Sequence, residues 1–426
     1  MTFRKTLRAC ALFAAFAPAT ISVCEAAPVV PLSFFEQRAA LNPRLQAAEE
    51  AFAAARQGVR AEGARSGARI VVQGMTGPQR QVVARDLITQ SFHYGQSIGL
   101  NFPLYAAKAA QREAVAQAQA DETDAKAALD ETRRRLLADV REAYVAYWLA
   151  ARQGELARAY GDDLARNVQS ARALHIHGFW TDADYFAYLD KVEQSKTDRN
   201  KAALDAQEAL ATLRSIAGGD LKDFEPDLPI SDEAPIAPLS ALLLSASAHD
   251  VELEHDQAQV DRFVEFERYA KRHSVDANIT TAAGSEMSIP NGVGYGLNAG
   301  ISLSLPTHAE QADVAYQRQL DGELASWRDM RQARISELSA AVEKAFDERL
   351  SAVQDLDASG TGVSSAREDL RETRFRFENI AGTTLNAVLQ KTASSYTGRR
   401  NQLTLHATVM TKTYELFFLA PDAGEK

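Results

Sequence analysis

Cysteine is nearly missing: the chain of 426 residues holds two, Cys10 and Cys24. Both lie in an N-terminal stretch that reads as an export signal. Arg4, Lys5 and Arg8 form its positive region, Ala9 to Ala17 its apolar stretch, and Cys24-Glu25-Ala26 a small-x-small cleavage site. Cleavage after Ala26 leaves a mature chain without cysteine, which excludes disulfides and thiolate metal sites. Ile21 and Ser22 also suit a lipid-attachment box at Cys24, although Val23 stands where that box takes a small residue. Acylation there would add an anchor and no new function.

Other absences narrow the function. No run of about 18 apolar residues follows the N-terminus, which argues against a helical membrane span. The formal charge of −10 argues against nucleic acid as a partner. There is no glycine-rich phosphate loop, no nucleophile elbow and no His-Glu-x-x-His. The expectation is a protein that is not an enzyme and holds no cofactor or metal. His175 and His177 are two residues apart and read as solvated side chains, because two ligands rarely hold zinc. Tyr144, Tyr147 and Trp148 read as packing between helices.

What is present is written twice. Pro31-Leu32-Ser33 recurs as Pro238-Leu239-Ser240, and an alternating segment ending at Pro103 recurs as one ending at Pro306. The reading is a signal (1–26), a first repeat (27–217), a linker rich in Gly, Pro and Asp (218–237), a second repeat (238–420) and a tail (421–426). Each repeat runs helix, strand pair, very long helix, break, helix. The first helix is expected over Leu32 to Ser66, with Ser33 and Glu36 as a capping box and Leu41, Leu45, Ala48 and Phe52 on one face. Its counterpart is Ser240 to Arg272.

The strand segments have period two. Phe92, Tyr94, Gln96, Ile98, Leu100, Phe102 and Leu104 alternate with His93, Gly95, Ser97, Gly99, Asn101 and Pro103. Tyr295, Leu297, Ala299, Ile301, Leu303 and Leu305 alternate with Gly296, Asn298, Gly300, Ser302, Ser304 and Pro306. An apolar face against a small, polar face suits tilted membrane strands between lipid and a wet lumen. Leu100, Phe102, Leu303 and Leu305 are the expected lipid-facing residues, and Pro103 and Pro306 mark the strand–helix junctions. Preceding strands are expected at Ala68 to Thr76 and Val275 to Glu286.

The long helices, Ala107 to Leu174 and Ala309 to Asn379, have no internal proline. Ala157, Tyr160, Leu164, Asn167, Ala171 and Leu174 form one heptad seam; Val363, Ala366, Leu370, Thr373 and Phe377 form another. At about 1.5 Å per residue, about 68 residues extend roughly 100 Å. Two hairpins supply four strands, which cannot close a barrel, and lipid cannot satisfy an open sheet edge. The pattern therefore demands two or more copies.

The order of these parts resembles the TolC-like outer-membrane factor (outer membrane efflux protein) family over nearly the whole mature chain. Leu41-Asn42-Pro43-Arg44-Leu45 looks like its opening helix, Phe102-Pro103-Leu104-Tyr105 like its strand–helix junction, and Arg376-Phe377 with Gly382 and Thr383 like its second helix–helix turn. The resemblance implies a homotrimer: long antiparallel coiled-coil helices form an α-barrel tunnel, and each subunit adds four strands to a shared transmembrane β-barrel. It also implies a periplasmic adaptor (membrane fusion protein) and an inner-membrane pump as partners, outer-membrane lipid around the strands, and a passive exit duct for efflux. Type I protein secretion is the alternative, and a periplasmic coiled-coil adaptor or structural protein a third reading. Gly178, Asp182, Asp184, Arg376, Gly382 and Asn386 are the expected residues of the periplasmic entrance and docking end. The sequence departs from the family where Ala106-Ala107 replaces a usual glycine pair and where Asn386 replaces a usual acid.

Overall fold

The computed structural model describes residues 28–84, 87–218, 224–230, 236–270, 274–289, 292–304, 306–380 and 384–421. The export signal, Leu305, Gly382 and the tail beyond Pro421 lie outside these residues, as does much of the linker. No described helix is long and apolar enough to cross a membrane.

The chain enters on β1 (Val29–Val30), α1 (Leu32–Ala39) and α2 (Pro43–Arg65). The expected single opening helix is thus two, and the sequence dictates why. Asn42 accepts a hydrogen bond from the Arg44 amide at 2.9 Å, and Pro43 starts α2 where a missing N–H costs nothing. Leu41 falls in the break and is exposed. Ser33 and Glu36 form no capping box; Pro31 precedes α1, and Glu36 pairs with Arg141 at 2.7 Å. The same break recurs between α6 (Leu239–His249) and α7 (Val251–Ala270). There Asp250 accepts from the Leu253 amide at 2.9 Å and holds Arg334 through both carboxylate oxygens.

Four strands form one antiparallel sheet in the order β2 (Arg69–Ala84), β3 (Leu87–Tyr105), β5 (Asp276–Ile289), β6 (Gly292–Ser304). The first hairpin is longer than its alternation suggests: the ladder continues past Thr76 and Phe92 as far as Ala84 and Leu87. Alternation reports burial, not pairing. β4 (Glu225–Pro226) pairs with β1 in a separate parallel ladder. β2 and β6 are the edges of the large sheet, each with one neighbour among the described strands.

From the sheet descend α3 (Ala106–Arg166) and α8 (Ala309–Asn379), the latter of 71 residues and so roughly 105 Å long at about 1.5 Å per residue. α3 does not reach Leu174: a break at Asn167 passes to α4 (Val168–Ile176). α5 (Asp182–Ala217) and α9 (Leu385–Leu419) return toward the sheet. Near the sheet the lateral order is α2-α3-α7-α8, and toward the far end α5-α3-α9-α8. The helices therefore make an open layer that continues the open sheet. The first seam is closed, with Ala157, Tyr160, Leu164 and Ala171 buried. The second is only half covered, because α8 is an edge: Val363, Ala366, Leu370 and Thr373 are half-buried and Phe377 remains exposed.

The core sits at mid-height, where α1, β1 and β4 pack on α3. Tyr144 is fully buried against Phe35, with ring centroids 5.7 Å apart. Its hydroxyl donates to the Val30 carbonyl at 2.6 Å and accepts from the Asp227 amide at 2.9 Å. Burial pushes its pKa up to about 12, so it stays protonated. Tyr147 donates to the Phe224 carbonyl at 2.8 Å. The tyrosines thus pin the mid-height crossovers onto the helical layer. Tyr144→Phe removes the bonds to the Val30 carbonyl and the Asp227 amide, and should lower stability by about 1–2 kcal/mol. Thermal unfolding in detergent reads it; an unchanged melting curve would mean the hydroxyl is dispensable.

Candidate functional site

The far end of the helical layer is built from two turns that share one apolar cluster. After α4, Gly178 adopts a φ of +75°, which an L side chain disfavours, and turns the chain back. The Phe179 and Trp180 amides both donate to the Leu174 carbonyl, at 2.9 and 3.1 Å. Trp180 is then buried with Tyr160, Leu164, Ala171, Tyr188, Leu385 and Leu389, which joins the first turn to the start of α9.

Thr181 and Asp184 cap α5 reciprocally. The Thr181 hydroxyl accepts from the Asp184 amide at 3.2 Å, and the Asp184 carboxylate accepts from the Thr181 amide at 3.1 Å. Hydrogen bonds from the Thr181 hydroxyl and amide hold the Asp184 carboxyl below the usual carboxylate range, and Asn386 adds to them. Asn386 thus faces Asp184, so the two turns meet through one charged and one neutral side chain. In the second turn Thr384 caps α9 through the Ala387 amide at 3.4 Å. Asp182 projects into solvent and bonds His175 at 2.7 Å, and the His175 ring stacks on Tyr185. His175 is thus engaged within the turn, and among the described residues no group of three or more His, Cys, Asp or Glu is placed to hold a metal.

Arg376 pairs with Glu372 on its own helix. The bond that crosses the layer is made by Arg374 instead, to Asp163 of α3 at 2.8 Å. Lys391 of α9 reaches Asp369 of α8 at 2.7 Å, and Asp198 of α5 binds both Arg400 and the Tyr396 hydroxyl, at 3.1 and 2.8 Å. Tyr160 and Tyr396 stack 4.3 Å apart. Sequence reasoning missed all of these. Periodicity shows which residues share a face of one helix, not which charges meet across two. Trp180 had a signal: an apolar residue directly before a capping threonine.

At the opposite end Phe92, Tyr94, Ile98, Leu100 and Phe102 of β3 are exposed on one face, and His93, Gly95, Ser97, Gly99 and Asn101 are less so on the other. Leu297, Ile301 and Leu303 of β6 share the apolar face by register. Pro103 lies inside β3, opposite Asn278, and Pro306 precedes α8 by a turn. The helix begins after Tyr105, whose φ of +47° is strained for a tyrosine.

Residues 35–219 match the family model described as outer membrane efflux protein. A search of curated proteins finds no match. Among solved structures the chain is similar to CusC, studied for folding and transmembrane channel formation, at 16% identity with a TM-score of 0.75, covering 95% of this chain and 96% of that one. It is similar to the outer-membrane channel OprN at 14% identity with a TM-score of 0.77, covering 91% and 89%. The Neisseria gonorrhoeae MtrE outer membrane channel gives 15% identity and a TM-score of 0.72, covering 92% and 89%. These identities establish a shared fold. Residues 35–219 thus match the outer membrane efflux protein family, on a chain that has the fold of outer-membrane channels.

Proposed function

We propose that the protein is one subunit of an outer-membrane exit duct, passive itself, that receives substrate from a periplasmic adaptor and an inner-membrane pump. The observation that carries this reading is the open layer. The sheet ends at β2 and β6, the helices end at α2, α5 and α8, and exposed apolar residues such as Val314, Leu350 and Phe375 lie along α8. A sheet with an apolar face and free edges is stable in lipid only if copies close it. Closing copies edge to edge encloses a lumen faced by Gly, Ser and Asn, continuous with a helical tunnel. The family model is that of efflux proteins, which favours efflux over polypeptide secretion. Three copies are the number the family resemblance implies. The division into two units, 27–217 and 238–420 around the 218–237 connection, is supported by the recurring element order and by the Asn42 and Asp250 breaks.

The periplasmic entrance is the Gly178–Asp184 and Ile380–Asn386 end, since the strands hold the opposite end in the membrane. Asp182 is the exposed acid available to an adaptor, whereas Asp184 is committed to its cap. Conductance of the purified protein in planar bilayers tests the duct; a protein that inserts without conducting would refute it. Arg374→Ala removes the Asp163 tie between α8 and α3 and should raise single-channel conductance. Conductance equal to wild type would place the gate elsewhere.

A further inference from the structure

Over β3, β5 and β6 the inner face of the sheet is mostly small and uncharged, and β2 adds Val71, Gln73 and Met75 to it. On β6 it consists of Gly294, Gly296, Asn298, Gly300, Ser302 and Ser304. On β3 and β5 it is mostly glycine, serine, threonine, alanine and asparagine. Two ionisable groups interrupt it together. Glu286 of β5 stands between Gly95 of β3 and Gly294 of β6, which leave the carboxylate open on both sides. His93 of β3, one diagonal step away, reaches it through Nδ1 at 2.5 Å. The histidine is largely covered, with 17% of its side chain exposed, while 54% of the Glu286 side chain remains exposed. Among the described residues the other titratable groups of this face, Arg69 on β2, Tyr105 on β3 and Asp276 on β5, lie at the helical end of the sheet, and β6 supplies none. At about 3.3 Å per residue they are about 20 Å or more from the pair along the strands. Glu286 is three residues from the end of β5, at the outer mouth.

We propose that Glu286 is the ion-selecting residue of the barrel, and that His93 is a positioning residue that makes its selectivity depend on pH. The inference rests on the duct reading, because it needs the Gly/Ser face to line the lumen. Each subunit then sets one carboxylate at the same height in a mouth with low-dielectric walls, which concentrates cations over anions. A neutral His93 donates Nδ1–H and fixes the carboxylate in the gap between the glycines. A protonated His93 places a positive charge beside it and cancels the field. Cationic solutes, K⁺ among them, are the favoured class, and they lose that advantage when the outside is acid.

The test is the reversal potential of the full-length protein in planar bilayers under a KCl gradient, at about pH 7.5 and about pH 5. Wild type should be cation-selective at the higher pH and lose part of that preference at the lower. Glu286→Gln should lose that preference and the pH step with it. His93→Gln should keep the preference at both pH values. Glu286→Asp, which retains the charge but falls short of His93, should stay cation-selective with a smaller step. Oligomer yield on gels verifies assembly of each variant. If Glu286→Gln and wild type have the same reversal potentials, the helical tunnel sets selectivity and the proposal is overturned. If His93→Gln keeps the full acid step, the role of His93 is overturned. A wild type that never conducts sinks the duct reading itself, an outcome distinct from both.

Discussion

Gly99→Val should abolish the membrane-inserted oligomer. Gly99 lies on β3 opposite Ala282 of β5, in the ladder that joins the two hairpins into one sheet. A Cβ at this position would sit 2.1 Å from the Thr281 carbonyl oxygen and 2.9 Å from the Ala282 Cα. Both are backbone atoms, so no side-chain rotation makes room. The reciprocal approach occurs at Gly284, where a Cβ would meet the Gln96 carbonyl at 2.6 Å. The strands must separate locally, and in lipid each unpaired backbone group costs several kcal/mol. Gly296→Val is the matched control, since nothing lies within 4 Å of its Cβ position. Heat-modifiable oligomer from outer-membrane fractions is the readout. Equal yield from both variants would mean that β3 and β5 do not pair this closely.

A second large effect is expected from charge on the apolar face. Leu297 and Asn298 are neighbours on β6 with opposite orientations. Leu297→Arg should block assembly, and Asn298→Arg should not. The first puts a guanidinium toward lipid at about 2–4 kcal/mol per copy near mid-bilayer; the second puts it in the lumen. Leu100→Arg on β3 should behave like Leu297→Arg. Leu303 is a weaker site than its hydrophobicity suggests, because it pairs with Ala277 next to the helical junction, where charges reach the interface. If Asn298→Arg is the variant that fails, the two faces are reversed.

The elements visible in the sequence are those with a long, uninterrupted period. Ala309 to Asn379 is one helix as read, because nothing breaks its pattern over that length. The alternation at Phe92–Phe102 and Tyr295–Leu303 separates an apolar face of the sheet from a small, polar one, as the register shows. Breaks without proline were not legible. At Asn167 the helix ends by a local change of backbone, with its amide shared between Leu164 and Ala165, and no residue type announces it. The Asn42 break was readable from Asn-Pro, which caps and starts a helix, yet the apolar spacing across it hid the signal. At the entrance the turns were legible from glycine and threonine, but the roles within them were not. Asp184 caps its own helix, Asn386 answers it across the gap, and Arg374 rather than Arg376 crosses the layer, because partners between helices depend on packing that one sequence does not encode locally.

The central claim is that this chain is an incomplete wall that copies of itself close. Mass measurement of the detergent-extracted protein by light scattering tests it most directly. The account predicts a single species of three chains, each close to 46.5 kDa less the export signal. A folded monomer with its four strands inserted in the membrane would contradict it.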